Sequence, residues 1–193
     1  MPRINNEKFY SSAVKAHGVC AKGLNWLSQE SQLVRFDAIL ELLPQDLKSF
    51  SVADAGCGFG DFYLYLNEKN KTPKKYVGVD SIQETAAIAS KKTQCDIIVA
   101  DVTRDKLPTK DYYVCSGALN ILTAFETYLF IQNCYKSSKR GFIFNALHGD
   151  KKSETYNYLT TAKIRSISKE LHVKKVIIKD GYLQGDVTVA FLK

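Results

Sequence analysis

Three acids and three glycines hold the positions in this sequence from which ligand chemistry would be done. Asp54 lies near the end of a short apolar run, Val52-Ala53-Asp54-Ala55, and is followed by Gly56, Gly58 and Gly60 in strict alternation before a helical pattern begins. Glycines at such a junction allow φ > 0 and leave bare peptide against which a ligand can lie. Asp80 ends the next apolar run, Tyr76-Val77-Gly78-Val79, and Asp101 ends the one after it. A carboxylate at the end of the second strand can accept hydrogen bonds from both hydroxyls of a ribose. The dinucleotide fingerprint Gly-x-Gly-x-x-Gly places its last glycine one residue later than this chain does. Asp54, two residues before the first glycine, favours a ligand ammonium over a pyrophosphate.

The elements that must position these residues follow from periodicity. Leu33, Phe36, Ile39, Leu40 and Leu43 recur at helical spacing from Ser31 to Pro44. Strands are expected at 52–55, 75–79, 95–100, 112–115 and 141–146, with a helix from Phe62 to Lys69 after the glycine loop. Ser81 to Glu84 and Thr123 to Glu126 read as capping boxes, the second opening a helix to about Ser138. A basic, tyrosine-bearing loop after Leu147 leads into a helix through Leu171. Residues 173–178 and 186–192 form a terminal hairpin around Lys179-Asp180-Gly181. Residues 9–28 mix aromatic, polar and glycine positions and read as one short helix and a loop, with Trp26 either a pocket wall or an anchor on the core.

The pattern Asp-x-Gly-x-Gly-x-Gly, followed by a strand ending in Asp, resembles the class I S-adenosylmethionine (SAM) dependent methyltransferases over about residues 30–193. The resemblance implies an α/β fold: a seven-stranded, mostly parallel sheet, helices on both faces and a C-terminal antiparallel hairpin. It divides the single domain into a cap segment, 1–29, and a SAM-binding part, 30–193. It also implies that Asp54, Gly56, Gly58 and Gly60 hold the methionine moiety, with Cys57 either touching the cofactor or merely fitting the turn. Asp80, fixed beside Ser81, would hold the ribose, and Ile82 would cover one adenine face. Asp101, with Val102, would meet the adenine amino group, or be an ordinary loop aspartate. Arg35 would meet the methionine carboxylate, or form a surface salt bridge. Ser116 is at the end of strand four, which in that family lies beside the transferable methyl, and would contact the cofactor.

A sulfonium already activates the methyl group, so no general base is required for an acceptor nucleophilic at neutral pH. Were a proton to be removed, His148 at the end of strand five is the first candidate and Tyr182 the second; His148 otherwise bonds its loop. Asn120 would hydrogen-bond the acceptor or cap its own turn. The loop after strand four lacks the Asn/Asp-Pro-Pro-aromatic motif of enzymes that methylate base amines or glutamine amides.

Size and charge narrow the partners. A chain of 193 residues with 45% hydrophobic content builds one core, and no apolar run approaches the roughly 20 residues that span a bilayer. With a polar N-terminus, Met-Pro-Arg-Ile-Asn-Asn-Glu-Lys, a cytoplasmic protein with no membrane partner is expected. Five cysteines without a Cys-x-x-Cys pair read as reduced core residues rather than a disulfide frame or metal site. The net charge of +7 is spread over lysine pairs such as Lys74-Lys75 and Lys151-Lys152, so most of it solvates helix ends and loops. A small-molecule acceptor is the expectation, RNA the alternative, and a SAM or SAH (S-adenosylhomocysteine) binding protein without catalysis the third. A nicotinamide oxidoreductase fits neither the glycine spacing nor the hairpin.

Overall fold

The computed structural model describes residues 4–193; the first three residues of the expected cap segment lie outside the described residues. Helix α1 (Asn6–His17) opens on Asn5, whose side chain accepts the Lys8 amide at 2.9 Å. A 3-10 turn, Ala21–Leu24, leads to α2 (Gln29–Leu40), started by a reciprocal Ser28/Ser31 capping box. Then come β1 (Ser51–Ala55), α3 (Asp61–Glu68), β2 (Lys75–Asp80), α4 (Gln83–Thr93), β3 (Asp96–Val99) and β4 (Lys110–Cys115). The chain continues through α5 (Ala124–Ser137), β5 (Ser138–His148), β6 (Tyr158–Leu159), α6 (Thr161–Glu170), β7 (Lys175–Lys179) and β8 (Asp186–Leu192).

The sheet runs in the order β3-β2-β1-β4-β5-β8-β7, parallel up to β5, with β8 antiparallel to both β5 and β7. This is the seven-stranded sheet with a terminal hairpin expected from the sequence. One short strand was not legible there: β6 adds two residues parallel to the end of β5. Strand order reverses between β1 and β4, so their loops part and leave a crevice at the carboxyl ends, where open sheets of this kind take ligands. Register brings the ends level, pairing Ala55 with Val79 and Asp80 with Val99.

Alternation along the strands builds two cores. Tyr113, Cys115, Phe142, Phe144 and Phe191 pack one face against Phe130 and Ile131 of α5 and Ile164 of α6. Val52, Val114, Ile143 and Ala190 point the other way, against Phe36 and Ile39 of α2 and Phe62 and Leu66 of α3. Both faces are thus covered and the strand ends are held rigidly. Cys57, Cys115 and Cys134 are buried free thiols. Among the described residues no helix is long and apolar enough to cross a membrane.

The second expected capping box forms as written: Thr123 and Glu126 exchange side-chain bonds to each other's amides. The first does not. Helix α4 starts at Gln83, too late for Ser81 to cap it, and its N-cap residue Ile82 contributes no side-chain bond. The Asp80 carboxylate takes the Ile82 amide instead, at 3.0 Å.

Candidate functional site

The carboxyl ends of β1 to β4 converge on a cavity of about 980 Å3, open mouth included, and on an adjoining recess of about 290 Å3. Gly56, Gly58 and Ser116 line both, together with Leu24 and Trp26 from the N-terminal segment. Asp80, Ser81, Ile82, Asp101 and Val102 line the larger space; Asp54, Cys57, Gln32 and Asp61 line the smaller.

The loop between β1 and α3 is shaped by backbone that only glycine adopts freely. Gly56 and Gly58 have φ of +74° and +54°, and a Cβ on Gly58 would come within 2.7 Å of Leu24 Cδ1. Both amides after β1 dock on β2: Gly56 and Cys57 donate to the Val79 carbonyl at 2.7 and 3.1 Å. Gly60 does a different job from the one expected. It lines neither space, and a Cβ there would lie 2.4 Å from Thr93 Cγ2, so this glycine lets α3 pack close to α4.

Two buried carboxylates define the electrostatics. Asp54 is 3% exposed and accepts the Tyr76 hydroxyl at 2.6 Å. Burial pushes its carboxyl up to about 7 against the pull of that hydrogen bond. The residues lining its recess include no lysine, arginine or histidine. Asp80 is pushed up to about 6 by burial, and its hydrogen bonds to the Ile82 and Gly58 amides pull it back. Asp101 lies at the cavity with one oxygen accepting Thr103 N and Oγ1, at 2.9 and 2.6 Å, and the other paired with Arg104.

Aromatic side chains line the same cavity. Phe9 and Tyr10 come from α1, Trp26 from the segment before α2, and Tyr156 from the loop after β5. Burial, with Asp80 nearby, raises the Tyr10 phenol well above its ordinary value. Asn120 reaches the cavity but also ties loops together: its Oδ1 accepts the Leu147 amide at 3.1 Å and its carbonyl the Asn157 amide at 2.7 Å.

Three expected site residues are directed elsewhere. Arg35 lines neither space; two of its guanidinium nitrogens bond Asp186 Oδ2 and a third the Ser31 carbonyl, while Trp26 stacks 5.0 Å from its centre. Tyr182 donates to Asp186 Oδ1 at 2.9 Å, and burial raises its phenol, so it is a structural donor rather than a base. His148 bonds Thr161 Oγ1 through Nε2 at 3.1 Å, at the start of α6, and lines neither space. Sequence reasoning missed Asn145, 1% exposed, which accepts the Ser116 hydroxyl at 2.6 Å. Its signal was a lone amide in the apolar run Gly141-Phe142-Ile143-Phe144-Asn145-Ala146.

Glycine backbone at the mouth of a crevice, a buried carboxylate in a recess that no cation lines among the described residues, and a second carboxylate one strand over could hold a nucleoside bearing a positive charge. The chain matches the family described as a methyltransferase domain over residues 52–141. No curated protein matches it. Among solved structures it is similar to magnesium protoporphyrin IX methyltransferase from Synechocystis with bound SAH, at TM-score 0.72 and 13% identity over 97% of this chain and 95% of that one. It is similar to a SAM-dependent methyltransferase from Mesorhizobium loti, at TM-score 0.64 and 15% identity over 83% and 98%. Human N-acetylserotonin methyltransferase in complex with SAM gives TM-score 0.65 and 16% identity over 96% of this chain and 66% of that chain.

Proposed function

We propose that this chain, a class I S-adenosylmethionine-dependent methyltransferase, transfers the methyl group to a small, largely apolar or aromatic acceptor. The observation that carries the reading of the acceptor is that Phe9, Tyr10, Trp26 and Tyr156 line one cavity together with Asp80 and Asp101. The neighbours named for magnesium protoporphyrin IX and N-acetylserotonin support it, as both names are of small ring compounds.

SAM supplies a methyl group on a sulfonium, already activated for displacement. The residues of this chain bind, orient and exclude water. Asp80, held in place by the Gly58 and Ile82 amides, would accept from the ribose hydroxyls. Ile82, Val102 and Asp101, which line the larger space, would hold the adenine. Asp54 attracts the ammonium in the recess. With Arg35 occupied by Asp186, the methionine carboxylate would be left to the first turn of α3, whose N-cap Gly60 offers no side chain and whose Asp61 and Phe62 line the recess. The segment to residue 29 acts as a cap: it shields the reacting atoms from water and, through Tyr10 and Trp26, aligns the acceptor.

The test is transfer from tritiated SAM to a small-molecule extract and, in parallel, to total RNA. Label in the small-molecule fraction is the expected result. Label confined to RNA would overturn the acceptor reading, in which case Lys151 and Lys152 beside Tyr156 become the strand-binding surface. Tight SAM binding with no label in either would mark a binding protein without catalysis.

A further inference from the structure

A closed ring of buried hydrogen bonds lies behind the site, on the α2 side of the sheet. Asn145 Nδ2 donates to the Arg35 carbonyl at 3.3 Å and to Thr188 Oγ1 at 2.8 Å, Thr188 being its direct partner across β5 and β8. Thr188 donates to the Tyr182 hydroxyl at 2.8 Å, Tyr182 to Asp186 at 2.9 Å, and Asp186 is gripped by the guanidinium of the same Arg35. Asn145, Thr188 and Asp186 are each 2% exposed or less.

This ring fixes the direction of every proton in it. A main-chain carbonyl can only accept, so the Asn145 atom facing Arg35 is the amide nitrogen, and the atom facing Ser116 is the oxygen. Ser116 has one hydroxyl proton, and it goes to that oxygen at 2.6 Å. What Ser116 presents to the two spaces it lines is therefore lone pairs alone. It is an acceptor, in a recess lined by the buried acid Asp54 and by Asp61, the latter paired with Lys92 at 2.7 Å.

We infer that Asn145 is a positioning residue for the cofactor: by holding the Ser116 proton it makes Ser116 an obligate acceptor for the ammonium group of the SAM amino-acid tail. The inference rests on the reading of these spaces as the SAM seat. A serine free to rotate could turn its proton toward the ligand ammonium and repel it. A serine held from behind cannot. The acceptor geometry is set before the cofactor arrives, so nothing in it must reorganise on binding.

The test compares two probes that differ in the tail only: S-adenosylhomocysteine, which carries the ammonium, and methylthioadenosine, which lacks the whole amino-acid portion. Calorimetric titrations are run on the full chain as wild type, Ser116→Ala, Asn145→Ala, the double variant and Thr188→Val. Ser116→Ala is expected to weaken the homocysteine probe by about tenfold or more and to leave methylthioadenosine within about twofold. Asn145→Ala should show the same selective loss, and should add nothing once Ser116 is already alanine. Should Asn145→Ala fail to fold, Thr188→Val, which keeps the β-branched shape while removing the hydroxyl that receives the amide, is expected to lower the same affinity selectively. Equal losses for both probes, or full additivity in the double variant, would overturn the inference while leaving the SAM seat standing. Failure of wild type to bind either probe would instead remove the seat, and the inference with it.

Discussion

Asp80 turns its carboxylate back on the glycine loop: one oxygen accepts the Gly58 amide at 3.0 Å across a separation of 22 residues, while the other takes Ile82. The acid that would hold the ribose thus also braces the turn that would hold the tail. Replacing Asp80 by alanine removes a ligand contact and orphans two buried amides together. Weaker SAM binding by about 1–3 kcal/mol is expected, with a comparable loss of stability. Titration calorimetry and thermal melts on the same samples check it; a binding loss with an unchanged Tm would show that the brace carries no energy.

If Asp54 meets the cofactor ammonium, binding is expected to depend on pH. Burial lifts its carboxyl from 3.8 to about 7 in the free protein, so below pH 7 it is largely protonated. An ammonium beside it favours the ionised form, so binding at pH 6 releases a proton, and affinity rises as pH increases through 7. Calorimetry in buffers of different ionisation heat should report that release at pH 6 and little of it at pH 8.

The same residue shapes stability with the opposite benefit. A carboxyl whose folded pKa is raised contributes full stability below the unfolded value near 4 and loses it as pH rises through 7. Asp54→Asn keeps an acceptor for Tyr76 and cannot ionise. At pH 8 it is expected to raise stability by about 1–3 kcal/mol, with no gain at pH 4, while SAM affinity falls. Melting curves at the two pH values decide it.

The fold was legible because its determinants are local. Strand alternation, the glycine triplet and the Thr123/Glu126 box each sit within a dozen residues, and β1, β2, β4 and β5 stand where the apolar runs put them. The site was legible where it belongs to strand ends, as at Asp54, Asp80 and Asp101. It was not legible where two distant segments meet. Arg35 and Asp186 are 151 residues apart, so nothing local shows that the arginine is already paired. Gly60 looks like its two neighbours in the triplet, yet its Cβ direction points at α4 rather than the cavity, a fact of packing rather than of spacing. Helix α1, which brings Phe9 and Tyr10 to the cavity, is polar on average and Ala13 is the buried residue among its described side chains, so its sequence reads only as one short helix.

Substitution of Tyr156 is expected to separate acceptor binding from cofactor binding. The tyrosine lines the cavity from an exposed loop, 38% accessible, and supports no core packing. Tyr156→Ala is expected to raise the acceptor KM several-fold, leaving the SAM Kd and Tm within error, because the side chain stands on a loop outside both cores. Steady-state kinetics with an identified acceptor, beside SAM titrations, measure both.

The Arg35–Asp186 pair is the sharpest test of the corrected site. Burial pushes the Asp186 carboxyl up, while Arg35 and Tyr182 pull it down, and the guanidinium beside it is itself 8% exposed. Asp186→Ala leaves a buried cation without its counter-charge and Tyr182 without its acceptor. It should destabilise by about 3–5 kcal/mol. Arg35→Met together with Asp186→Leu removes both charges at near-constant volume and should cost far less than the two single changes summed, since each single change strands the other partner. Were Arg35 a ligand for the methionine carboxylate instead, Arg35→Lys would lower SAM affinity at constant Tm. The observed geometry demands the reverse: lysine cannot reproduce the fork on Asp186, so Tm drops first, and any change in affinity follows from disturbance of the ring through Asn145.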